Sequence, residues 1–408
     1  MSGKSTDLVD RIVKLVVIAD AYPPLRTSAA VQIRDLVSEM VHQGHHVTLL
    51  LPDAKIEKYW DLEQNGNLEV LRLKAPKTKD IGYVRRAIAE FMLSSALYKA
   101  LKRSPFRDRR WDALVWYSPS IFFGKLVKKL KWESSCPAYL ILRDIFPEWA
   151  VDMGLLGKGI IYRYFKTVEK FQYRQADTIG VQTSSNITYF KKEHGDFSAR
   201  IEVLDNWLSD SEVTSCSINL STTNLSGRQI FVYTGNIGIA QGMDILIDLA
   251  RQMSLDKSIG FLFVGRGTAV EQIKDRAARF QLDNILFHDE ITPEEIPGLL
   301  SQCHAGLIAL DPRHRNDNIP GKFLAYMQAG LPVLATINEG NDLETMIQHH
   351  QVGEVVANHS LEELTDKARK LIKHGRDQAM SNRCRVLARE RFSSAAAVSQ
   401  IIASFNCK

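Results

Sequence analysis

Residues 318–335 read Asn-Ile-Pro-Gly-Lys-Phe-Leu-Ala-Tyr-Met-Gln-Ala-Gly-Leu-Pro-Val-Leu-Ala and carry the strongest chemical signal in the chain. The pattern predicts a loop, a helix, a glycine stop and a buried strand. Asn318 can cap the helix through its side-chain oxygen. Pro320 suits the first turn, where an N–H would go unpaired anyway, and Gly330 suits the left-handed position past the last turn. Lys322 is out of keeping, because a cation in the first turn opposes the positive end of the helix dipole. Its tolerance there suggests a bound anion. The amide groups of Ile319, Gly321 and Lys322 already favour phosphate, and the ammonium strengthens the site. A lysine that simply points into solvent is the alternative.

Other residues at strand ends can do related chemistry. Tyr233-Thr-Gly-Asn-Ile-Gly-Ile-Ala-Gln-Gly242 is a glycine-rich turn, with Gly235, Asn236 and Gly238 placed to bring backbone N–H groups to a diphosphate. Val264-Gly-Arg-Gly-Thr268 is a second such turn, and Arg266 can reach a phosphate with two N–H groups. Arg143 and Asp144 follow the apolar run Ala138–Leu142, so they can contact substrate or, for Asp144, move a proton; a loop ion pair is the plainer reading, and Glu148 is as able as Asp144. Thr27 and Ser28 offer hydroxyl and N–H groups at a helix start, for a ligand or as a simple cap. No GxGxxG follows the first strand, so a dinucleotide fingerprint is absent.

The elements that must position these residues form an α/β alternation. Short apolar runs at Leu15–Ile18, Val47–Leu51, Ala113–Tyr117, Ala138–Leu142 and Thr178–Val181 alternate with helical patterns such as 28–43. A second series runs through Ile230–Thr234, a helix from Met243, Phe261–Val264, Ile285–Phe287, Gly306–Leu310 and Val333–Ala335. Such alternation predicts parallel, doubly wound sheets. Residues 209–228 are rich in Ser, Thr and Asn and read as a linker. The expected division is therefore an N-terminal domain 1–208, the linker, a C-terminal domain 229–390 and a final helix within 391–408 that packs back toward the N-terminal domain. Two Rossmann-like domains would face a central cleft at the carboxyl ends of their strands.

At 408 residues, 45% hydrophobic and 24% charged, the composition fits a soluble globular protein of two domains. No apolar run is long enough to span a membrane, and the polar start is a poor signal peptide. Cys136, Cys216, Cys303, Cys384 and Cys407 are scattered, without CxxC spacing, so neither a disulfide framework nor a zinc site is expected. Charge is uneven. Residues 1–210 hold 32 Lys and Arg against 25 Asp and Glu, and residues 72–131 hold 16 against 4. Residues 84–103 read as a basic amphipathic helix, with Ile88, Phe91, Met92, Ala96 and Leu101 as its apolar stripe. An anionic membrane surface is the expected partner, an ordinary core-facing helix the alternative. Nucleic acid is not expected, since no recognised module accompanies the charge.

Taken together, Tyr22-Pro-Pro24, Gly44-His-His-Val-Thr48, the Gly235 turn, Val264-Gly-Arg-Gly267 and Tyr326-Met-Gln-Ala-Gly-Leu-Pro-Val333 resemble a retaining family 4 glycosyltransferase of the GT-B fold. Tyr117-Ser-Pro-Ser-Ile-Phe122, Leu140–Ala150 and Asp177–Gln182 look closer to the bacterial O-antigen N-acetyl-L-fucosaminyltransferases. The resemblance implies that the second domain binds a nucleotide-diphosphate sugar, a UDP-sugar above all, with no cofactor and no metal. It implies that the first domain binds a polyprenyl-diphosphate-linked saccharide, with the protein cytoplasmic and peripheral at the inner membrane face. Asp144, Arg143 and Asp317 become candidates for catalysis. Gly235, Asn236, Gly238, Arg266, Asn318, Ile319, Gly321 and Lys322 become candidates for the donor site, and Thr27 and Ser28 for the acceptor loop.

This chain departs from the family at two places. The family commonly places two glutamates eight residues apart around the helix, where Asp317 and Ala325 stand here, and an Arg and a Lys after the second domain's first strand, where Asn236 and Gln241 stand here. An epimerase of the same fold and a non-catalytic nucleotide-sugar-binding partner remain the competing readings.

Overall fold

A computed structural model describes residues 12–406 except 26, 79–80, 119, 153–154, 194–197, 210–212, 214, 239–240, 313–318 and 374–376. The chain divides into two compact units, one running up to Asp205 and resuming at Ser394, the other spanning Asn206–Ser393.

The first unit contains β1 (Lys14–Ile18), α1 (Ser28–His42), β2 (His46–Asp53), β3 (Trp60–Asn65), β4 (Leu68–Lys74), α2 (Tyr83–Leu101), β5 (Ala113–Ser118), α3 (Gly124–Ser134), β6 (Ala138–Leu142), α4 (Glu148–Asp152), α5 (Ile160–Tyr173), β7 (Thr178–Val181), α6 (Ser184–Glu193) and β8 (Arg200–Val203). Its sheet runs β3-β4-β2-β1-β5-β6-β7-β8. Only the β3–β4 pair is antiparallel among the described strands. That hairpin escaped the sequence analysis, although Asn65-Gly66 announces it. Gly66 takes φ +57°, a conformation that costs a residue without Cβ little.

The second unit contains β9 (Gln229–Thr234), α7 (Asp244–Gln252), β10 (Ile259–Val264), α8 (Val270–Arg279), β11 (Ile285–His288), α9 (Ile296–Ser301), β12 (Ala305–Ala309), α10 (Gly321–Gln328), β13 (Val333–Thr336), α11 (Asp342–His350), β14 (Gly353–Val356), α12 (Leu361–Ile372) and α13 (Gln378–Arg391). Its parallel sheet runs β11-β10-β9-β12-β13-β14. Ile230 and Val232 join the core on one face while Phe231 and Tyr233 join the core on the other. Both faces are therefore covered, which is why the strands read as continuous apolar runs rather than alternating ones.

The last helix, α14 (Ser394–Ser404), belongs to the first unit. Gln400 donates to Glu202 Oε1 and to Val203 O at 2.8 Å, and Val398 and Ile401 are fully buried.

In each unit the strand order reverses once, between β1 and β5 and between β9 and β12. Parallel sheets bind ligands beyond the carboxyl ends of the strands at such a reversal.

Candidate functional site

The second unit's site grows from the β9–β12 reversal. The two strands pair only at Ala305↔Phe231 and Gly306↔Val232. Beyond that register the Tyr326 side chain, from α10, fills the gap. Its buried hydroxyl accepts from Thr234 N at 3.1 Å and lies within hydrogen-bonding distance of Val232 O and Leu307 O. A Cβ on Gly306 would overlap the Tyr326 ring, so the glycine makes room for this wedge. One side chain thus ties the start of the Gly235 turn to the helix that carries Lys322.

Helix α10 begins later than its sequence suggests. Pro320 is the residue before the first turn rather than within it, and it makes no side-chain capping bond. Asn318, the expected cap, and Asp317 lie outside the described residues. A Cβ at Gly321 would meet nothing within 4 Å, so space lies open at the helix start. Ile319 is buried in the core below.

Lys322 folds back over the Tyr233 ring, its Nζ 3.4 Å from the centroid. Among the described residues it has no carboxylate partner. Part of its surface stays accessible, yet protein atoms crowd the ammonium enough to bring its pKa down to about 7 by desolvation. A half-buried cation without a carboxylate partner among the described residues, at the positive end of a helix, is an arrangement that an anion would relieve. Tyr233 also donates its hydroxyl to Asn236 O at 2.7 Å, so the same ring supports the lysine and the turn.

The glycine turns behave differently from expectation. Gly235 N donates to Val264 O, Ile237 N to Arg266 O and Gly238 N to Gln241 Oε1. Cβ atoms on Gly265 and Gly267 would overlap Gly235 O and Ile237 O. These glycines let two backbone loops pack against each other, and the N–H groups of Gly235 and Gly238 are spent inside the protein rather than aimed at a diphosphate. Asn236 Nδ2 donates to Gln241 Oε1 at 3.0 Å, so the two amides bind each other where the family carries cations. Arg266 is largely exposed and pairs with Glu290 at 2.8 Å.

In the first unit, Thr27 is a helix cap, its hydroxyl accepting from Ala30 N at 3.3 Å. Ser28 opens α1 and is exposed. Arg143 is buried and donates to Leu204 O at 2.7 Å and to Asp205 O at 3.3 Å. Its guanidinium anchors the chain where it leaves the unit, which corrects the expectation of a catalytic or substrate-binding arginine. Glu148 is likewise committed, to Lys166 at 3.0 Å and the Tyr162 hydroxyl at 2.9 Å. Asp144 stays exposed at the end of β6; desolvation raises its pKa despite the opposing pull of Arg143. Tyr117, on β5, donates to Gln32 Oε1 at 2.7 Å, and burial pushes its hydroxyl up to about 12. The carboxylates of Asp20 and Asp144 act on it from nearby. Tyr117, Tyr233 and Tyr326 went unassigned in the sequence because an aromatic in an apolar run reads as core.

Residues 228–374 match the family described as Glycosyl transferases group 1. The chain is 25% identical over 219 residues to a probable glycosyltransferase, WbjE, of Pseudomonas aeruginosa, covering 52% of this chain and 54% of that one. The match thus spans about half the length of that relative. It is 22% identical over 317 residues to a putative colanic acid biosynthesis glycosyl transferase, WcaI, of Escherichia coli K12, covering 71% and 75%. Among solved structures, WaaG, a glycosyltransferase involved in lipopolysaccharide biosynthesis, superimposes with a TM-score of 0.59 at 15% identity over 96% of this chain and 99% of that one. Anabaena HepE in complex with UDP and glucose does so with a TM-score of 0.62 at 13% identity, over 95% and 98%. The fold is α/β with two parallel-sheet, Rossmann-like units, and its structural neighbours are GT-B glycosyltransferases. Residues 228–374 thus resemble group 1 glycosyltransferases.

Proposed function

We propose that this protein is a hexosyltransferase that moves a sugar from a nucleotide diphosphate, a UDP-sugar, to a polyprenyl-diphosphate-linked saccharide in bacterial surface-polysaccharide synthesis. The observation that carries the reading is Lys322, without a carboxylate partner among the described residues, in the first turn of α10 beside the β9–β12 reversal, within the segment that matches the glycosyltransferase family. The name of WbjE supports glycosyl transfer, the names of WcaI and WaaG support a polysaccharide role, and the UDP held by HepE supports the nucleotide. N-acetyl-L-fucosamine as the sugar rests on the resemblance of the Tyr117 and Leu140–Ala150 segments alone.

In this reading the leaving diphosphate sits over the α10 N-terminus, where Lys322 and the helix amides offset its developing charge without a metal. The C1–phosphate bond breaks and the acceptor hydroxyl bonds to C1 on the same face, its proton passing to the leaving phosphate oxygen. Asp144 belongs to the acceptor side, where its raised pKa suits contact with a sugar hydroxyl. The protein works at the inner membrane face, with the basic helix at 84–103 toward anionic lipid.

The test is incubation with UDP-, GDP- and dTDP-sugars and a short polyprenyl-diphosphate-GlcNAc acceptor, read by mass spectrometry. A mass gain on the acceptor from one donor supports transfer. Nucleotide binding with no gain from any donor favours the non-catalytic reading, for which the Asn236–Gln241 amide pair and Ala325 speak. Conversion of the donor without acceptor favours an epimerase.

A further inference from the structure

We propose that α2, α3 and α5 together form a lipid-docking face, with Trp132 and the N-terminal end of α5 inserted into an anionic bilayer and Lys125, Lys128 and Lys129 seated against its phosphates. This sharpens the membrane part of the reading above and does not depend on the transfer chemistry.

Helix α2 alone does not make the surface. Its expected stripe divides: Leu101 is buried with Leu93 and Leu97 in the core, while Ile88, Phe91 and Met92 are 56%, 54% and 53% exposed. These three side chains form a second apolar face that the first unit leaves uncovered. Its neighbour α3 carries Lys125, Lys128, Lys129 and Trp132 at helical spacing, hence on one face. Trp132 is 82% exposed.

The charges on that face differ from those around them. Lys131 pairs with Asp177, Lys102 with Glu133 and Arg86 with Glu90. Lys125, Lys128 and Lys129 pair with no carboxylate among the described residues. Each is instead laid against an aromatic ring: Lys125 over Phe91 at 4.4 Å, Lys128 over Phe171 at 5.8 Å and Lys129 over Tyr98 at 4.0 Å. The three cations and Trp132 line a groove of about 460 Å³ with Phe171 of α5. Along α5, Ile161, Tyr164, Val168 and Phe171 share one face, and Ile160 and Ile161 at its start are 85% and 63% exposed.

Exposed aromatics and isoleucines interleaved with lysines that have no carboxylate partner among the described residues suit the boundary between headgroups and acyl chains, where the ring or alkyl body inserts and the ammonium meets phosphate. Charge complementarity selects anionic lipid over a neutral surface. No helix of the described residues is long and apolar enough to cross a membrane, so docking would be peripheral.

The experiment is flotation of the purified full chain with phosphatidylcholine vesicles, with and without phosphatidylglycerol, and no nucleotide. Binding is expected to rise about 10–100-fold with phosphatidylglycerol and to fall back with salt. Lys125→Glu/Lys128→Glu/Lys129→Glu should lose that gain. Brominated acyl chains should quench the fluorescence of the wild type and leave Trp132→Phe largely unquenched. Circular dichroism and UDP binding, both expected to be unchanged, check that the variants fold. Equal, negligible binding to both vesicles overturns the proposal, as does a triple variant that binds like the wild type. Concentration-dependent self-association without lipid that Trp132→Ser abolishes would also overturn it, by giving the face to a second copy.

Discussion

At the scale of single residues, Lys322 and Arg143 show how one cation can be poised and another spent. Lys322 lacks a carboxylate among the described residues and keeps a pKa near 7 through desolvation. Its native value lies below the free value of 10.5, so without ligand the folded state holds fewer protons than the unfolded state between about 7 and 10.5. Stability should therefore rise with pH across that window, and Lys322→Met should flatten the rise in thermal melts. A bound diphosphate reverses the preference and favours the ammonium. UDP should bind more tightly at pH 6 than at pH 8, with proton uptake in calorimetry run in two buffers. Lys322→Ala should weaken UDP binding about 10–100-fold; unchanged affinity would reject the donor site. Arg143→Ala is expected to lower stability by about 2–4 kcal/mol in chemical denaturation, because Leu204 O and Asp205 O lose their donor, with UDP affinity unchanged.

At the scale of elements, the loop after β9 and the loop after β10 are held by backbone contact, and a methyl group decides whether they fit. Gly267→Ala would overlap Ile237 O and should destabilise the second unit by about 2 kcal/mol or more. Hydrogen exchange should then rise through 235–238, where the turn loses its ladder to Arg266. Between α4, α5 and α6 a different element-level feature appears. Glu169 is fully buried and bound to Lys166 at 2.6 Å, with Glu148 and Tyr173 also bearing on it. Burial pushes its carboxyl up to about 7, above the ordinary 4.5. The folded state then holds the extra proton between those values, so the group's contribution falls as pH rises from 4.5 through 7. Glu169→Gln should gain melting temperature relative to the wild type on going from pH 5 to pH 8; a constant difference would sink that account.

At the scale of the whole molecule, the chain returns at its end to the unit in which it began. Helix α14 packs against α1 and reaches β8 through Gln400. Removing residues 394–408 should therefore loosen the first unit, seen as faster exchange in α1 and β8, while UDP binding by the second unit persists.

Much of this was legible in the sequence by itself. Runs such as Ala138–Leu142 and Thr178–Val181 coincide with strands because strands buried on both faces must be apolar throughout. Gly330 stands past the end of α10 at φ +65°, as its type and spacing require. The segments less legible were those whose burial is partial: β3, β8 and β14 carry mixed residues that a sheet edge tolerates. Only the tertiary structure decided what the polar groups do. Whether an arginine at a strand end meets substrate or a backbone carbonyl, whether glycines approach a phosphate or another loop, and which side of α2 is covered all depend on what lies across space. Residue type and periodicity report the environment along one element, whereas the partner that satisfies or leaves open a donor comes from elements far away in the chain.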